Sequence, residues 1–126
     1  MDIADIDEMF SGLGPVTVRR MFGGQGIYHR GLIVAVVVRG EVLLKADATS
    51  GPEFAAAGAR RWTYEGRAGR PVEMPYWSVP DAALDDPDEM ARWVRLALAA
   101  AVRARPAKDA SKPKTATRRP PFDEPM

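Results

Sequence analysis

The chain has 126 residues, of which 46% are hydrophobic and 28% are charged, as is typical of a globular domain. Its 18 Lys and Arg residues against 17 Asp and Glu residues give a formal net charge of +1, so the protein as a whole does not attract a polyanion. It contains no cysteine, which excludes disulfides, thiolate catalysis and cysteine-ligated metal centres.

Apolar residues near the N-terminus recur at helical spacing, at Ile3, Ile6, Met9, Phe10 and Leu13. They predict a short amphipathic helix, which the glycines and proline at positions 12, 14 and 15 end. The same segment is acidic where a signal peptide is basic, and no apolar run in the chain reaches the roughly 18 residues of a membrane span. We therefore expect a cytoplasmic protein.

The longest β-type signal covers residues 16–47. Residues 32–38 are apolar and mostly β-branched, which predicts a strand in the middle of a sheet. Residues 41–45 alternate in polarity after a short glycine-bearing connection, so they predict the second strand of an antiparallel hairpin. Residues 19–29 read as one extended segment interrupted by glycines. The stretch predicts a three-stranded meander.

Two further strands follow a short helical segment at residues 53–57. Residues 61–65 alternate aromatic with polar side chains, as a half-buried strand does. Residues 72–79 are also extended, but Pro75 lacks an amide proton, so we place this strand at a sheet edge or on a bulge. The predicted fold class is α+β, with an antiparallel sheet of about five strands and N-terminal and C-terminal helices packed on it.

The last predicted helix begins at Asp86, where Asp86-Pro87-Asp88-Glu89 combines a cap residue, a proline at the first helical position and an acidic third residue. Pro106 stops the helix. The remaining residues are rich in Pro, Lys, Ser, Thr and Ala and poor in large apolar side chains. We predict a folded domain at residues 1–105 and a disordered tail at residues 106–126.

Candidate catalytic and metal-binding patterns each have a simpler structural interpretation. The GGQG sequence at residues 23–26 lacks the Lys-Ser/Thr of a phosphate-binding loop and precedes no helix, so a bulged strand is the default. His29 has no second histidine or cysteine with which to form a zinc site, so we interpret it as a solvated loop residue. Acidic pairs near residue 86 are explained by helix capping. We therefore expect no catalytic residue, cofactor or metal, and a protein that is not an enzyme.

Two pairs of residues are candidates for an interaction surface. Strand alternation sends Arg19 and Arg20 to opposite faces of the sheet, so at least one should reach solvent or form an ion pair. Tyr76 and Trp77 also point to opposite faces, and an exposed aromatic residue on an edge strand suits a partner interface or self-pairing. For both pairs the more common explanation is structural, namely a salt bridge for the arginines and core burial for the aromatic residues.

The tail carries the candidate polyanion contacts. It is locally basic, but it lacks interleaved aromatic residues, so we do not expect it to read sequence by base stacking. Its nonspecific DNA contacts would come from Lys108, Lys112, Lys114, Arg118 and Arg119. The alternative is a tail that only adds solubility.

Several segments in order resemble the N-terminal domain of the TfoX/Sxy family. They are RRMFGGQGIY at residues 19–28, LLKAD at 43–47, WTY at 62–64, MPYWSVP at 74–80 and DEMARWVRLA at 88–97. The resemblance covers residues 1 to about 105 and implies a small α+β domain. It also implies that the motif residues determine the fold and do not form an active site; these are Met21, Phe22, Gly23, Gly24 and Gly26.

Two-domain members of that family are regulators of natural competence, thought to act with a cyclic-AMP receptor-type activator. This chain has the Pro/Lys tail where those regulators carry a second, helical domain. The leading hypothesis is a non-enzymatic regulatory or adaptor module that binds a protein partner through its sheet, with a homodimer as one form. The alternatives are a nucleic-acid-binding accessory protein that uses the tail, and a small-ligand or enzymatic domain with a pocket near Tyr28 and His29.

Overall fold

A computed structural model describes residues 2–21, 23–66 and 69–105, and the predicted tail lies outside these residues. The described chain forms a mixed α+β structure, so the predicted fold class is confirmed. Its elements in order are α1 (Ile3–Met9), β1 (Thr17–Met21), β2 (Gly24–His29), β3 (Leu32–Val38), β4 (Glu41–Lys45), α2 (Gly51–Ala56), β5 (Arg61–Glu65), β6 (Pro71–Ser78), α3 (Asp81–Leu84) and α4 (Pro87–Ala104).

The strands form one antiparallel sheet in the order β1-β2-β3-β4-β6-β5. The sheet has six strands where we predicted about five, because the segment at residues 19–29 turns back on itself between β1 and β2. Gly23 lies in this turn with a φ of 76°, a conformation that glycine adopts without steric cost. The meander therefore has four strands, and β3 lies in its interior as predicted.

Two Arg-Gly turns join β3 to its neighbours. Arg30 and Gly31 connect β2 to β3 with φ values of 52° and 81°, and Arg39 and Gly40 connect β3 to β4 with φ values of 54° and 79°. Positive φ at both central residues is the signature of the type I′ hairpin loop, whose twist matches that of the flanking strands. The predicted hairpin connection before residues 41–45 is thus confirmed, and the two turns lie at opposite ends of β3.

One face of the sheet carries the main core. All four helices contribute to it, through Ile6 and Phe10 near α1, Phe54 of α2, Ala83 of α3 and the apolar side of α4. The strands contribute Ile27, Val34, Val42 and Leu44. The helices therefore form a single layer on this face.

Helix α4 begins where the sequence predicts. The Asp86 side chain accepts hydrogen bonds from the backbone amides of Asp88 at 3.0 Å and Glu89 at 3.4 Å, and Pro87 occupies the first turn. These contacts satisfy amides that have no partner within the helix. The cap therefore sets the start of the helix that covers the centre of the sheet.

Strand β6 lies between β4 and β5, so it is not an edge strand. The other predicted placement of Pro75, on a bulge, is confirmed. The register of β5 with β6 shifts between the pairs Arg61↔Trp77 and Thr63↔Glu73. Pro75 is left out of that ladder, and its carbonyl oxygen accepts a hydrogen bond from the Ala46 amide at 3.0 Å. The edge strands are β1 and β5.

No helix within the described ranges is both long enough and apolar enough to cross a membrane.

Candidate functional site

The face of the sheet opposite the helices is the principal candidate site. Its buried cluster consists of Val36, Leu43 and Tyr76, with strand residues including Ile33, Trp62 and Met74 packed around it. No helix residue belongs to this cluster among the residues that the structure describes. We call this surface the helix-free face; its strand residues include Arg19, Tyr28, Ile33, Val36, Glu41, Leu43, Lys45, Trp62, Tyr64, Met74 and Tyr76.

Aromatic side chains form a row on the β5 and β6 side of the helix-free face. The Trp62 ring lies 6.1 Å from the Tyr64 ring and 6.3 Å from the Tyr76 ring, centroid to centroid. Tyr76 is only 7% exposed, whereas Tyr64 is 47% exposed. The row therefore runs from a buried end at Tyr76 to an exposed end at Tyr64, and it can contact a partner at the exposed end.

Two cations lie over tyrosine rings on the same face. The Arg19 guanidinium carbon is 5.3 Å from the centre of the Tyr28 ring, and Lys45 Nζ is 5.3 Å from the centre of the Tyr76 ring. Burial lowers the pKa of Lys45, and the nearby carboxylate of Asp47 partly offsets that effect. Burial also raises the pKa of Tyr76 to about 12, with a smaller contribution from Tyr28. This part of the face is therefore poorly hydrated although it carries polar groups.

The charge balance of the helix-free face is positive. Glu41 extends from β4 on this face, but its carboxylate is 3.1 Å from the Arg60 guanidinium and is neutralised by it. Arg19 and Lys45 form no ion pair with any residue in the described ranges. The unneutralised charges are therefore cationic.

The structure separates Arg19 from Arg20, as strand alternation predicts. Arg19 pairs with Gly26 on the helix-free face, whereas Arg20 pairs with Gln25 and points to the other side of the sheet. Both side chains are exposed. Within the described ranges neither side chain forms an ion pair, so the salt bridge that was their structural alternative is not observed.

The prediction that Tyr76 or Trp77 offers an exposed aromatic ring on an edge strand is wrong. They do point to opposite faces, but Tyr76 is buried beneath Lys45 and Trp62, and Trp77 packs on the helix side with its ring 6.2 Å from that of Phe54. Strand β6 is not an edge strand, so neighbours on both sides cover them. Tyr64 on the true edge strand is the exposed aromatic residue, and the alternation of residues 61–65 is the signal that places it beside Trp62.

The interpretation of His29 as a solvated loop residue is wrong. It is the last residue of β2, is 6% exposed and has its Nδ1 2.8 Å from the Pro15 carbonyl oxygen. That oxygen only accepts, so Nδ1 carries the proton. His29 thus anchors the segment between α1 and β1, and it does not share a cavity with Tyr28, which lies on the opposite face of the sheet.

The motif glycines are required by close packing. A Cβ on Gly24 would overlap the carbonyl oxygen of Val37 on β3, and a Cβ on Gly26 would lie 2.6 Å from the Met21 sulfur. These contacts give Gly24 and Gly26 a steric role next to Val37 and Met21, and Gly23 has a positive φ of 76° in the turn. Phe22 lies outside the described residues. The predicted polyanion contacts of the tail, from Lys108 to Arg119, also lie outside them.

Within the described ranges no group of three or more His, Asp and Glu side chains is placed to hold a metal ion.

Comparison with known proteins identifies the family of the chain. A search of curated proteins finds no match to the sequence. The family model described as the TfoX N-terminal domain matches residues 8–101, which include every strand of the sheet and most of α4. The chain therefore belongs to the TfoX N-terminal domain family.

Proposed function

We propose that this protein is a cytoplasmic, non-enzymatic regulatory or adaptor module that binds an acidic protein partner through the helix-free face. The observation that carries the proposal is a sheet face on which aromatic residues and unneutralised cations lie together with no helix over them in the described part of the chain. A protein partner that covers this face would bury the exposed aromatic ring and neutralise the cations.

The apolar part of the face supports a protein partner. Tyr64 is 47% exposed and Val72, which pairs with it, is 36% exposed. Tyrosine and tryptophan are enriched among the residues that contribute most binding energy to interfaces. Because the Tyr64 ring already packs beside the Trp62 ring, little side-chain entropy is lost when a partner packs on this pair.

The charges support an acidic partner. Among the described residues Arg19 and Lys45 have no carboxylate within 4.0 Å: the Asp47 carboxylate near Lys45 is bound by Arg103, and Glu41 is paired with Arg60. The ring contacts hold both cations in place, so a partner carboxylate would meet groups that are already oriented. Their positions on β1 and β4 require a partner that spans the sheet.

The resemblance to two-domain competence regulators favours a transcription activator as the partner. On this proposal the chain would be an accessory protein in transcription or competence control. A homodimer formed through an open edge strand and nucleic-acid binding by the basic tail are the competing functions. Photocrosslinking distinguishes the protein-binding, homodimer and nucleic-acid-binding functions.

The test is site-specific photocrosslinking of the full chain in its native host. A photoreactive phenylalanine analogue at position 64 should give one discrete protein adduct, whose crosslinked segment is acidic when identified by mass spectrometry. The matched control carries the same group at Leu84, which is 59% exposed but lies in α3 on the helix side. Charge reversal by Arg19→Glu together with Lys45→Glu should abolish the adduct at position 64.

Three outcomes would contradict the proposal. Equal yields of the adduct from positions 64 and 84 would mean that crosslinking results from random collision. An adduct of twice the chain mass would identify a second copy as the occupant. An adduct that nuclease removes would identify nucleic acid. In that case the logarithm of the DNA-binding constant should fall with the logarithm of the salt concentration, with a slope of at most about −4.5 for five phosphate contacts. Neutralising the tail cations should flatten this slope.

A further inference from the structure

A second surface lies on the other side of β1, at the end of the sheet where the β1–β2 and β3–β4 turns meet. It is an open cavity of about 760 Å³ whose wall includes Arg20, Gln25, Val37, Arg39 and Met21. Among the residues that the structure describes, its lining contains two guanidinium groups and no carboxylate. The cavity is therefore positively charged.

The two arginines are held by different parts of the backbone. Arg20 extends from β1, where it pairs with Gln25 of β2, and Arg39 is the first residue of the β3–β4 turn. Arg60, Arg61, Arg92 and Arg103 each have a carboxylate within 4.0 Å, but Arg20 and Arg39 have none among the described residues. Their hydrogen-bond donors are thus available to a ligand.

The close approach of the backbone shapes this end of the sheet. Gly24 lies directly against the Val37 carbonyl group, so β2 and β3 approach each other without an intervening side chain. Gly23 and Gly40 have nothing within 4 Å of the position that a Cβ would occupy. Backbone at these glycines therefore forms part of the cavity wall, beside the side chains of Met21, Gln25 and Val37.

We infer that this cavity binds a small phosphate monoester, with Arg20 and Arg39 holding the phosphate group. One guanidinium fork saturates a single carboxylate, whereas a phosphate presents three terminal oxygens that two forks can bind at once. Inorganic phosphate is far smaller than the cavity, whose volume lies in the range of roughly 300–1,000 Å³ that is typical of small-molecule sites. The organic part of the ester would lie against Met21 and Val37, with the Gln25 carboxamide as a hydrogen-bonding group.

The GGQG sequence at residues 23–26 lines this cavity through Gly23, Gly24 and Gln25. The segment forms no phosphate-binding loop of the kind that precedes a helix, and the sequence argument against that motif stands. The anion site depends instead on Arg39, which lines the same cavity from a turn 13 to 16 positions further along the chain than the GGQG residues. The inference is independent of the protein-binding proposal because the two surfaces lie on opposite sides of β1.

The test is an NMR titration of the full ¹⁵N-labelled chain with AMP, adenosine and inorganic phosphate. We expect AMP to shift the amide signals of Gly23, Gly24 and Gly40, inorganic phosphate to shift the same signals at higher concentration, and adenosine to leave them unchanged. Arg20→Gln and Arg39→Gln should each weaken AMP binding about tenfold, the effect of losing one charge-assisted contact.

The matched control is Arg30→Gln. Arg30 occupies the same position of the same kind of turn at the opposite end of β3 and carries the same charge, but it does not line the cavity. Its substitution should change AMP affinity less than twofold. An equal loss in all three variants would show only nonspecific charge attraction and overturn the inference.

Two further results would overturn it. One is the absence of any shift at millimolar AMP. The other is an oligonucleotide that binds through Arg20 and Arg39 when AMP does not, which would assign the surface to a nucleic-acid backbone. Tyr64→Ala should leave AMP binding intact, so failure of the protein-binding proposal and failure of this one can be told apart.

Discussion

The Arg103 guanidinium near the end of α4 donates two hydrogen bonds to the Asp47 carboxylate after β4, from Nε to Oδ2 at 2.6 Å and from Nη2 to Oδ1 at 3.0 Å. Oδ1 of Asp47 also accepts from the backbone amides of Thr49 and Ser50, each at 3.0 Å. One carboxylate thus holds the turn before α2 and ties it to the last helix. Arg103 is the main cause that lowers the pKa of Asp47 well below its usual range.

The first prediction concerns acid stability. Because folding lowers the pKa of Asp47, its contribution is fully present above the ordinary value of about 3.9 and is lost as the pH falls through the folded-state value. Asp47→Asn should lower the free energy of unfolding by about 1–2 kcal/mol at pH 7, which reflects backbone hydrogen bonds and a partly exposed ion pair. The difference from the wild-type protein should shrink below pH 4 in urea denaturation.

The control for this prediction is Asp7→Asn on the exposed side of α1, which should change stability by less than about 0.5 kcal/mol. An Asp47→Asn difference that stays constant from pH 7 to pH 2 would contradict the assignment of the lowered pKa to Asp47.

The second prediction concerns alkaline titration of the helix-free face. Burial raises the pKa of Tyr76 to about 12, so its contribution to stability is present below the ordinary value of about 10 and is lost as the pH rises between the two. Absorbance at about 295 nm should show one of the three tyrosines ionising late.

Tyr76→Phe should remove the late-titrating component, and Tyr64→Phe should leave it in place. Circular dichroism over the same pH range separates ionisation in the folded protein from unfolding. The assignment fails if the late component survives Tyr76→Phe.

The third prediction concerns the motif glycine that touches β3. Gly24→Ala should lower the free energy of unfolding by about 1–3 kcal/mol, because the new methyl group would overlap the Val37 carbonyl group and push β2 from β3. Thermal unfolding of both proteins measures the effect. The matched control is Gly51→Ala in α2, where the added Cβ would meet the Trp77 ring at an ordinary 3.7 Å and the φ is not positive. A Gly24→Ala protein as stable as the Gly51→Ala protein would contradict the close contact.

The fourth prediction concerns His29. His29→Phe keeps an aromatic ring at the end of β2 but leaves the Pro15 carbonyl oxygen without its donor, so it should cost about 1–3 kcal/mol of stability in urea. Arg30→Gln, at the exposed next position, should stay within about 0.5 kcal/mol of the wild-type protein. Equal stability of the two variants would mean that the His29 hydrogen bond contributes nothing to folding.

Local signals in the sequence predict most of the secondary structure. The cap at Asp86, the β-branched run of β3 and the two Arg-Gly turns each depend on residues within a few positions of one another, so hydrogen bonding and steric preference act locally. The sequence does not predict the division of residues 19–29 into two strands, because the closely spaced Gly23, Gly24 and Gly26 allow a bulge and a turn equally well.

The sequence predicts the candidate sites less well than the secondary structure. Alternation along β1 correctly separates Arg19 from Arg20, but it does not indicate that Arg20 shares a cavity with Arg39. Whether Tyr64 or Tyr76 is exposed depends on which strand forms the edge, and that follows from the pairing of β4 with β6. His29 is buried because α1 and the segment after it return to the end of β2.

By itself the sequence determined the α+β class, the family motif and the main helix and strand segments, because these arise from periodicity, capping and turn chemistry within short windows. Only the tertiary structure decided which face of the sheet stays free of helices in the described chain, which aromatic ring is exposed and which arginines line the same cavity. These properties depend on contacts between distant residues, such as Arg103 with Asp47 at a separation of 56 positions. A short sequence window carries no information about contacts between residues that lie so far apart in the chain.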